Sequence, residues 1–343
     1  MRTIKIQVIG IFIFLISLYS VQGQRYEKNI YRSFEKSRVA ELDISNKYGN
    51  IEIKDTRGDS ITIDAKITVR NANERKALET ISKIDIVIKQ EGRSLDVQTV
   101  IAQTLNNSGN LSIDYIISIP KDRHLNITNK YGNVMLNDLE GNGSFDISYG
   151  NLSTGKLKAP DISLVLSYGN ADIKSVNDIK AVIKYSNLYL DTAKDINLTS
   201  SYSNLEAEKV EFLRINSKYD GVRVNEIDKV AADSRYTKYT INLLNENCVM
   251  NSGYGSIRVG KVDLSFNYIE IKGSYCNISL GLTGVDYSID VSCDYCDVKY
   301  PTNQLTGDLS IDNHSVRLKG TMGTGSPDGK LIINSRYGDI NLN

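Results

Sequence analysis

Asn129-Lys130-Tyr131-Gly132-Asn133 repeats, residue for residue, the earlier segment Asn46-Lys47-Tyr48-Gly49-Asn50. From Tyr131 onward a tyrosine, usually followed by a very small residue, recurs at intervals of 17 to 23 residues. The series is Tyr131, Tyr149, Tyr168, Tyr185, Tyr202, Tyr219, Tyr236, Tyr254, Tyr275, Tyr295 and Tyr337, with His314 in the same slot between the last two. Repeats of about 20 residues are typical of solenoids, in which each unit packs only on its neighbours.

Apolar residues alternate with polar ones on both sides of each tyrosine. Before Tyr131 they are Leu125 and Ile127, and after it they are Val134 and Leu136. The parity of the alternation switches across the tyrosine. Because strand side chains alternate with a period of two, the backbone must turn or bulge between the two halves. The tyrosine motif is therefore predicted to be a corner, and the small residue after it fits a tight bend.

Two short strands, a corner and a polar connection make a coil of about 18 residues, which is too short to hold a crossover helix. A coil that climbs one rung per turn connects parallel strands with strands alone. The predicted fold class is all-β, a single-stranded β-helix or β-solenoid with coils of about 17 to 21 residues. A β-sandwich or propeller would require antiparallel hairpin signals or blades of about 40 residues, and the sequence shows neither.

The domain organisation follows from where the repeat is regular. Residues 1–23 are predicted to be a signal peptide, residues 24–130 an N-terminal cap and residues 131–343 the regular coils, with 24–343 forming one continuous domain. The cap contains one predicted helix within Asn71–Ile84, which Asn71 or Asn73 would cap. Because the last residues are themselves a repeat, the C-terminal end is expected to be blunted by polar residues or to dock, including end to end with a second copy.

The first residues have the pattern of an export signal. Arg2 and Lys5 precede an apolar stretch from Val8 to Tyr19, and small residues place the predicted cleavage between Gly23 and Gln24. No later stretch is long and apolar enough to cross a membrane as a helix. The protein is therefore expected to be exported, to the periplasm, the outer surface or the extracellular space.

The charge balance bears on the class of partner. The chain has 41 basic and 41 acidic residues, so loss of Arg2 and Lys5 leaves 39 against 41 and a net charge near −2. This balance argues against nucleic acid or anionic lipid as the main partner. With 41% hydrophobic residues and only four prolines, the chain is expected to bury a continuous core.

The four cysteines are Cys248, Cys276, Cys293 and Cys296. Cys276 and Cys296 occupy the slot after the tyrosine, where other copies carry Gly or Ser, so small buried filler is one interpretation. The alternative is a disulfide between them, because cysteines in the same slot of consecutive rungs would have their Cα atoms about 5 Å apart, inside the disulfide range. A zinc site that adds Cys293 and His314 matches no tight ligand spacing. No metal and no cofactor is predicted.

The sequence offers little for catalysis. Its two histidines are His124, in a polar stretch, and His314, in a corner slot, and no G-x-S-x-G, H-E-x-x-H or P-loop motif occurs. Charged residues are spread evenly, as on a solvated surface, and the protein is predicted not to be an enzyme. The tyrosine series is either corner packing or an aromatic surface for a glycan or a protein partner. No ligand-binding residue is identified.

Several segments carry a family resemblance. They are N-K-Y-G-N-I at 46–51, S-I-D-Y-I-I-S-I-P at 112–120, N-K-Y-G-N-V at 129–134 and S-Y-G-N at 148–151 and 167–170. In these segments the chain resembles the putative adhesin family with head-GIN-type domains. The resemblance implies a single-stranded β-helix-like fold at the bacterial envelope, and it supplies no catalytic or binding residues. The chain departs from the Y-G-N pattern at Tyr219-Asp220-Gly221 and Tyr236-Thr237-Lys238.

Three functional hypotheses remain open at this stage. The leading one is a non-enzymatic, exported β-solenoid whose repetitive surface binds an unidentified envelope or extracellular glycan or protein. The second is an envelope-stress accessory protein that acts on a membrane partner. The third is a polysaccharide-degrading β-helix enzyme, which a groove with convergent carboxylates and basic residues on adjacent rungs would favour.

Overall fold

A computed structural model describes residues 24–102 and 110–343 of the protein. The predicted signal peptide and its cleavage site between Gly23 and Gln24 therefore lie outside the described residues, apart from Gln24 itself. The described chain is mostly β-strand and forms a β-solenoid of about nine turns with a single α-helix. The predicted fold class is confirmed.

The N-terminal elements include the helix. They are β1 (Arg25–Glu35), β2 (Glu41–Lys47), β3 (Ile51–Asp55), β4 (Ser60–Arg70), α1 (Glu74–Ser82), β5 (Ile84–Glu91), β6 (Ser94–Ile101) and β7 (Leu111–Ile119). The middle of the chain contains β8 (His124–Lys130), β9 (Val134–Leu136), β10 (Gly143–Ser148), β11 (Leu152–Leu157), β12 (Ile162–Ser167), β13 (Asn170–Lys184), β14 (Asn187–Ser201), β15 (Asn204–Lys218), β16 (Gly221–Arg235) and β17 (Lys238–Gly253).

The remaining strands are β18 (Ser256–Val262), β19 (Tyr268–Ser274), β20 (Asn277–Leu280), β21 (Tyr287–Asp294), β22 (Val298–Lys299), β23 (Leu305–Asp312), β24 (Ser315–Met322), β25 (Gly329–Arg336) and β26 (Ile340–Leu342). Short 3-10 turns occur at Lys36–Arg38 and Thr302–Gln304.

The central coils are more continuous than the sequence predicted. Strands β13 to β17 each run from just after one tyrosine to just before the next, so that the expected polar connection is itself part of the β-ladder. Neighbouring coils pair in parallel and in step, as in the match of Asn170 with Asn187 and then Asn204. The strand bends where the pairing skips Lys174 and Asn177. One coil therefore has two sheet faces, one on each side of its tyrosine.

Alternate side chains of both faces fill one hydrophobic core along the solenoid. In β14, Leu188 and Leu190 come from the face after the tyrosine, and Ile196 and Leu198 come from the face before the next one. All four are at most 3% exposed. Full burial of each such side chain contributes about 1.5–3 kcal/mol, so the core is the main favourable term that holds the coils together.

The N-terminal end of the solenoid changes from parallel to antiparallel pairing. Strands β2 and β3 form the rung of Tyr48 next to the rung of Tyr131. Strand β7 pairs with β3 in parallel, and β4 and then β1 continue that face in antiparallel fashion. Helix α1 lies within the predicted range, and the side chain of Asn73 caps it by accepting a hydrogen bond from the backbone N–H of Lys76 at 3.1 Å. Both the helix and its cap agree with the sequence prediction.

The C-terminal end does not follow chain order, which the sequence analysis had assumed. Strand β25 pairs with β19 on one side and with β21 on the other, and β26 lies between β20 and β22. The last repeat, that of Tyr337, therefore lies between the rungs of Tyr275 and Tyr295. The end of this face is closed by the antiparallel hairpin of β24 and β23 rather than by the final residues.

Candidate functional site

The tyrosines form one continuous stack along a corner of the solenoid, here called the tyrosine ladder. Neighbouring ring centroids are 4.6 to 5.4 Å apart, with interplanar angles of 3° to 21°. In space the order is Tyr48, Tyr131, Tyr149, Tyr168, Tyr185, Tyr202, Tyr219, Tyr236, Tyr254, Tyr275, Tyr337 and Tyr295, with His314 stacked on the last ring at 4.9 Å.

Each corner is made by the tyrosine itself and not by the small residue after it. All twelve tyrosines of the ladder have a positive φ, between 51° and 67°, which is the left-handed region that most side chains avoid. The backbone stays bonded through the turn, as where the N–H of Tyr149 donates to the carbonyl of Ser167 at 2.9 Å. The predicted corner is therefore present, but the residue that bends is the tyrosine and not the small residue after it.

Where the residue after the tyrosine is glycine, the close approach of neighbouring rungs requires it. A Cβ on Gly150 would lie 1.9 Å from the carbonyl oxygen of Gly132, and one on Gly169 would lie 1.8 Å from that of Gly150. These distances are far inside van der Waals contact. In this part of the ladder, backbone packs directly on backbone.

From Tyr131 onward the ladder rings are between 41% and 51% exposed. Their faces are turned toward one another, so the groups that reach solvent are ring edges and hydroxyls. Within the described chain, the ladder hydroxyls from Tyr131 onward make no hydrogen bond to a protein group. The ladder therefore presents a row of hydroxyl groups at a spacing of about one rung.

Basic side chains flank the ladder at the position before the tyrosine. Lys130 Nζ lies 5.2 Å from the ring centroid of Tyr131, and Lys218 Nζ lies 5.4 Å from that of Tyr219. The set comprises Lys47, Lys130, Lys184, Lys218, Arg235 and Arg336, and Lys238 lies two residues after Tyr236. None of these seven cations is within 4 Å of a carboxylate in the residues that the structure describes.

A second ladder of asparagines lies two residues after the tyrosines. The Nδ2 group of Asn187 donates to Oδ1 of Asn170 at 2.7 Å, and Nδ2 of Asn204 donates to Oδ1 of Asn187 at 2.8 Å. The series runs through Asn50, Asn133, Asn151, Asn170, Asn187 and Asn204. It ends at Gly221, where the sequence departs from the Y-G-N pattern, whereas the stack of tyrosine rings continues.

Asp220 directly follows Tyr219, in the position where most rungs have a small residue, and it is buried. Its carboxylate accepts hydrogen bonds from Ser200 Oγ at 2.6 Å and from the backbone N–H groups of Ser203 and Lys218. Burial raises the pKa of the Asp220 carboxyl above its ordinary value, and these hydrogen bonds offset part of the rise. Next to it, burial also raises the pKa of Tyr239, whose hydroxyl contacts Ser217 Oγ at 3.0 Å. Around Asp220, the buried polar groups on the inner side of the corner are thus hydrogen bonded.

The structure pairs the cysteines differently from the sequence prediction. Cys293 and Cys296 form the disulfide, with their Cα atoms 5.8 Å apart, and Cys276 is a buried free thiol. The expected bridge between Cys276 and Cys296 is absent because the rung of Tyr337 lies between their two rungs. Two rung steps, about 10 Å, exceed the reach of a disulfide. Burial raises the pKa of the Cys276 thiol, and that of Cys248 to about 12.

The two histidines have separate, local contacts. His124 Nδ1 accepts a hydrogen bond from the backbone N–H of Asn142 at 3.0 Å. His314 stacks on Tyr295 but lies in the turn between β23 and β24, so its assignment to a coil corner was wrong. It does not join Cys276, Cys293 and Cys296 in one cluster, and among residues 24–102 and 110–343 no group of such side chains is arranged to hold a metal ion.

An open groove of about 350 Å³ lies on the sheet face that follows the ladder. Carboxylates of Asp191, Glu206 and Glu208 line it together with Arg223. Arg223 Nη1 is 2.7 Å from Glu206 Oε1, and Lys174 Nζ is 3.5 Å from Asp191 Oδ2. Side chains of adjacent rungs thus converge here, but they are about half exposed and two of the three carboxylates have cationic partners.

In the described part of the chain, no helix combines the length and the apolar character needed to cross a membrane. No curated protein sequence matches this one. Two similar solved structures are a putative cell adhesion protein from Clostridium sporogenes (10% identity, 92% of this chain and 99% of that chain, TM-score 0.21) and a putative adhesin from Parabacteroides merdae (12%, 74% and 96%, TM-score 0.37).

A third similar structure is a putative lipid binding protein from Parabacteroides distasonis, with 12% identity over 74% of this chain and 96% of that chain and a TM-score of 0.40. The family profile of the Toastrack domain, DUF4097, matches residues 39–343. The match covers every rung of the ladder from Tyr48 to Tyr337, and it confirms the adhesin-like family that the sequence motifs indicated. The chain therefore belongs to the Toastrack DUF4097 family.

Proposed function

We propose that the protein is a non-enzymatic, adhesin-like binding protein that is exported and presents its repetitive surface to a glycan or protein of the envelope or the extracellular space. The observation that carries this proposal is the unbroken tyrosine ladder, which holds the same half-exposed side chain at the same place on every rung. A repeating surface of this kind suits a partner that is itself repetitive.

Two physical effects support binding along such a surface. Contacts that are weak one by one become strong together when they are linked at a fixed spacing, because each later contact is intramolecular. The spacing here is fixed by backbone hydrogen bonds between rungs, so little conformational freedom is lost on binding. The ladder is therefore already arranged for a long ligand.

The test is retention of the purified protein on immobilised glycans and on envelope proteins, with the ligand examined afterwards by mass spectrometry. We expect saturable binding to at least one polymer or protein, and an unchanged ligand mass. Absence of saturable binding to every glycan and envelope fraction would contradict the proposal. Retention by a membrane protein alone would instead favour the envelope-stress accessory function.

The groove beside the ladder favours a second candidate, a polysaccharide-degrading enzyme. Glycan cleavage commonly uses a pair of carboxylates, and Asp191, Glu206 and Glu208 line this groove together with Arg223. Their exposure and ion pairs argue against it, because a catalytic acid of this kind usually needs a desolvated carboxyl. Release of shorter saccharides by the wild type, abolished in both Glu206→Gln and Glu208→Gln variants, would establish the enzyme and displace the first proposal.

A further inference from the structure

The corner that carries the tyrosine ladder differs in charge from the two faces beside it. We define the tyrosine ridge as the ladder together with the residue before each tyrosine and the second residue after it. From the rung of Tyr48 to that of Tyr275, the ridge carries six of the seven flanking cations and no carboxylate. Asp220, which directly follows Tyr219, is not part of the ridge and is buried. Acidic residues appear only at the last rungs, as Asp339, Asp294 and Asp297.

Three cations on the faces of the same coils are arranged in the opposite way. Lys174, Lys209 and Lys229 each have a carboxylate partner on the next rung, at 3.5, 2.7 and 3.0 Å. The ridge cations have none, although the whole chain has equal numbers of acidic and basic residues. Although the acidic and basic residues of the whole chain balance, the tyrosine ridge is therefore a strip of positive charge without carboxylate partners.

We infer that the tyrosine ridge is the binding site for a linear anionic polysaccharide, whose carboxylates pair with the ridge cations while its hydroxyls bond to the tyrosine hydroxyls. This inference rests on the proposed binding function and names its site and ligand class. The charge of the strip selects a polyanion. The row of free hydroxyls from Tyr131 onward selects a ligand that offers hydroxyl partners at about one per rung, and an extended polysaccharide advances by a similar length per sugar residue.

The stacking of the ladder favours a polysaccharide over a nucleic acid or a membrane. Single-stranded nucleic acids bind proteins largely through stacking of bases on aromatic faces. Here each ring face is covered by the next ring, at 4.9 Å between Tyr185 and Tyr202. Binding to a membrane surface relies on an exposed apolar face in addition to charge. The ridge residues that flank the rings are mainly Lys, Arg, Ser, Gly and Asn.

The experiment compares two triple variants of the full protein that lose the same charge from the same coils. The ridge variant is Lys184→Gln, Lys218→Gln and Arg235→Gln, and the face control is Lys174→Gln, Lys209→Gln and Lys229→Gln. Binding is measured by calorimetry to a linear polyuronate, to its carboxyl-reduced neutral form, to polyphosphate, to single-stranded DNA and to vesicles containing anionic lipid. Each titration is run at low and at moderate salt.

We expect the polyuronate to bind wild type more tightly than every other probe, with affinity that falls as salt rises. The ridge variant should bind at least tenfold more weakly, and the face control should stay within about threefold of wild type. A third variant, Tyr185→Phe, Tyr202→Phe and Tyr219→Phe, keeps the ring stack and removes three hydroxyls. It should weaken polyuronate binding several-fold while the melting temperature stays unchanged.

Four results would overturn the inference. They are no binding to polyuronate, equal binding to the neutral form, equal losses in the ridge and face variants, and tighter binding to polyphosphate, DNA or vesicles than to polyuronate. Saturable binding of the neutral form or of an envelope protein would still leave the proposed function standing. The two proposals therefore fail separately.

Discussion

At the scale of single residues, the corner combines a strained backbone with an unusually regular aromatic stack. A left-handed conformation costs about 1–2 kcal/mol for a residue with a Cβ, and twelve tyrosines adopt it. Each stacked pair returns about 0.5–1.5 kcal/mol beyond the area it buries, and an inner ring takes part in two pairs. The strain of each corner is thus offset within the ladder itself.

Gly150 tests the close approach of the rungs. Gly150→Ala should lower the free energy of unfolding by about 2–4 kcal/mol, because its Cβ would meet the Gly132 carbonyl at 1.9 Å. Chemical denaturation measures the change. Gly58→Ala is the matched control, since its nearest neighbour would be Thr56 Oγ1 at 3.5 Å, and it should stay within about 0.5 kcal/mol of wild type. Equal effects of the two variants would contradict the packing argument.

Asp220 gives the stability a pH dependence of defined sign. Its folded-state pKa is raised by burial, so the folded protein holds the proton more tightly than the unfolded chain does. Stability should fall as pH rises from the ordinary carboxyl pKa through the raised one. Asp220→Ser places in this slot the residue that Ser203 provides one rung earlier. The fall of the free energy of unfolding with pH should be absent in this variant, so its stability relative to wild type should increase as pH rises.

Asp263 is the control for the opposite sign. Hydrogen bonds from the backbone N–H and then the hydroxyl of Ser265 lower the pKa of its carboxyl. Its contribution to stability should therefore be present above the ordinary carboxyl pKa and be lost as pH falls, and it should be small because the group is only partly buried. The free energy of unfolding, measured between pH 3 and pH 7, distinguishes the two effects because they have opposite signs. If it changed with pH in the same way in wild type and in Asp220→Ser, the prediction for Asp220 would be contradicted.

At the scale of elements, the disulfide lies within a single corner, around Tyr295, and does not link two rungs. Alkylation of the native, oxidised protein followed by peptide mass spectrometry should find Cys293 linked to Cys296. Cys248 and Cys276 should react only after unfolding, because both are fully buried. A peptide that links Cys276 to Cys296 would contradict the insertion of β25 and β26 between their rungs.

The sequence predicted the elements better than their order. Alternation around Tyr131 and Tyr219 was enough to predict the coil, the corner and the core positions, and a cap signal at Asn73 was enough to place the helix. The order of the last rungs was not predictable in the same way. Every rung presents the same apolar pattern to its neighbours, so β25 fits beside β19 as well as β21 does. The disulfide prediction failed for this reason.

The candidate site was only partly foreseen. The repeat identified the tyrosines, but it could not show that the hydroxyls from Tyr131 onward lack protein partners in the described chain or that the flanking cations lack carboxylates. Those properties depend on which side chains of neighbouring rungs come together, as Lys209 does with Glu226. The left-handed tyrosine was also missed, because the glycine beside it is the residue that normally adopts such a conformation.

At the scale of the whole molecule, stability should be graded from the middle to the ends. Amide hydrogen exchange should be slowest in β13 to β17, whose strands are paired on both sides over their full length. Exchange should be fastest in β23, which pairs only with β24 in the described chain and is largely exposed, and in α1. Uniform protection along the chain would show that the solenoid opens as a single unit.

The insertion of β25 and β26 has a consequence for how the molecule is made. These strands leave the ribosome after β21 to β24, yet they lie beneath them. Until they arrive, β19 and β21 face each other across a vacant slot with unsatisfied backbone groups on both sides. Assembly of the solenoid is therefore completed by β25 and β26, which come from the end of the chain. A chain truncated before Gly329 lacks this strand and keeps the edges of β19 and β21 open, so truncated chains should associate through these edges.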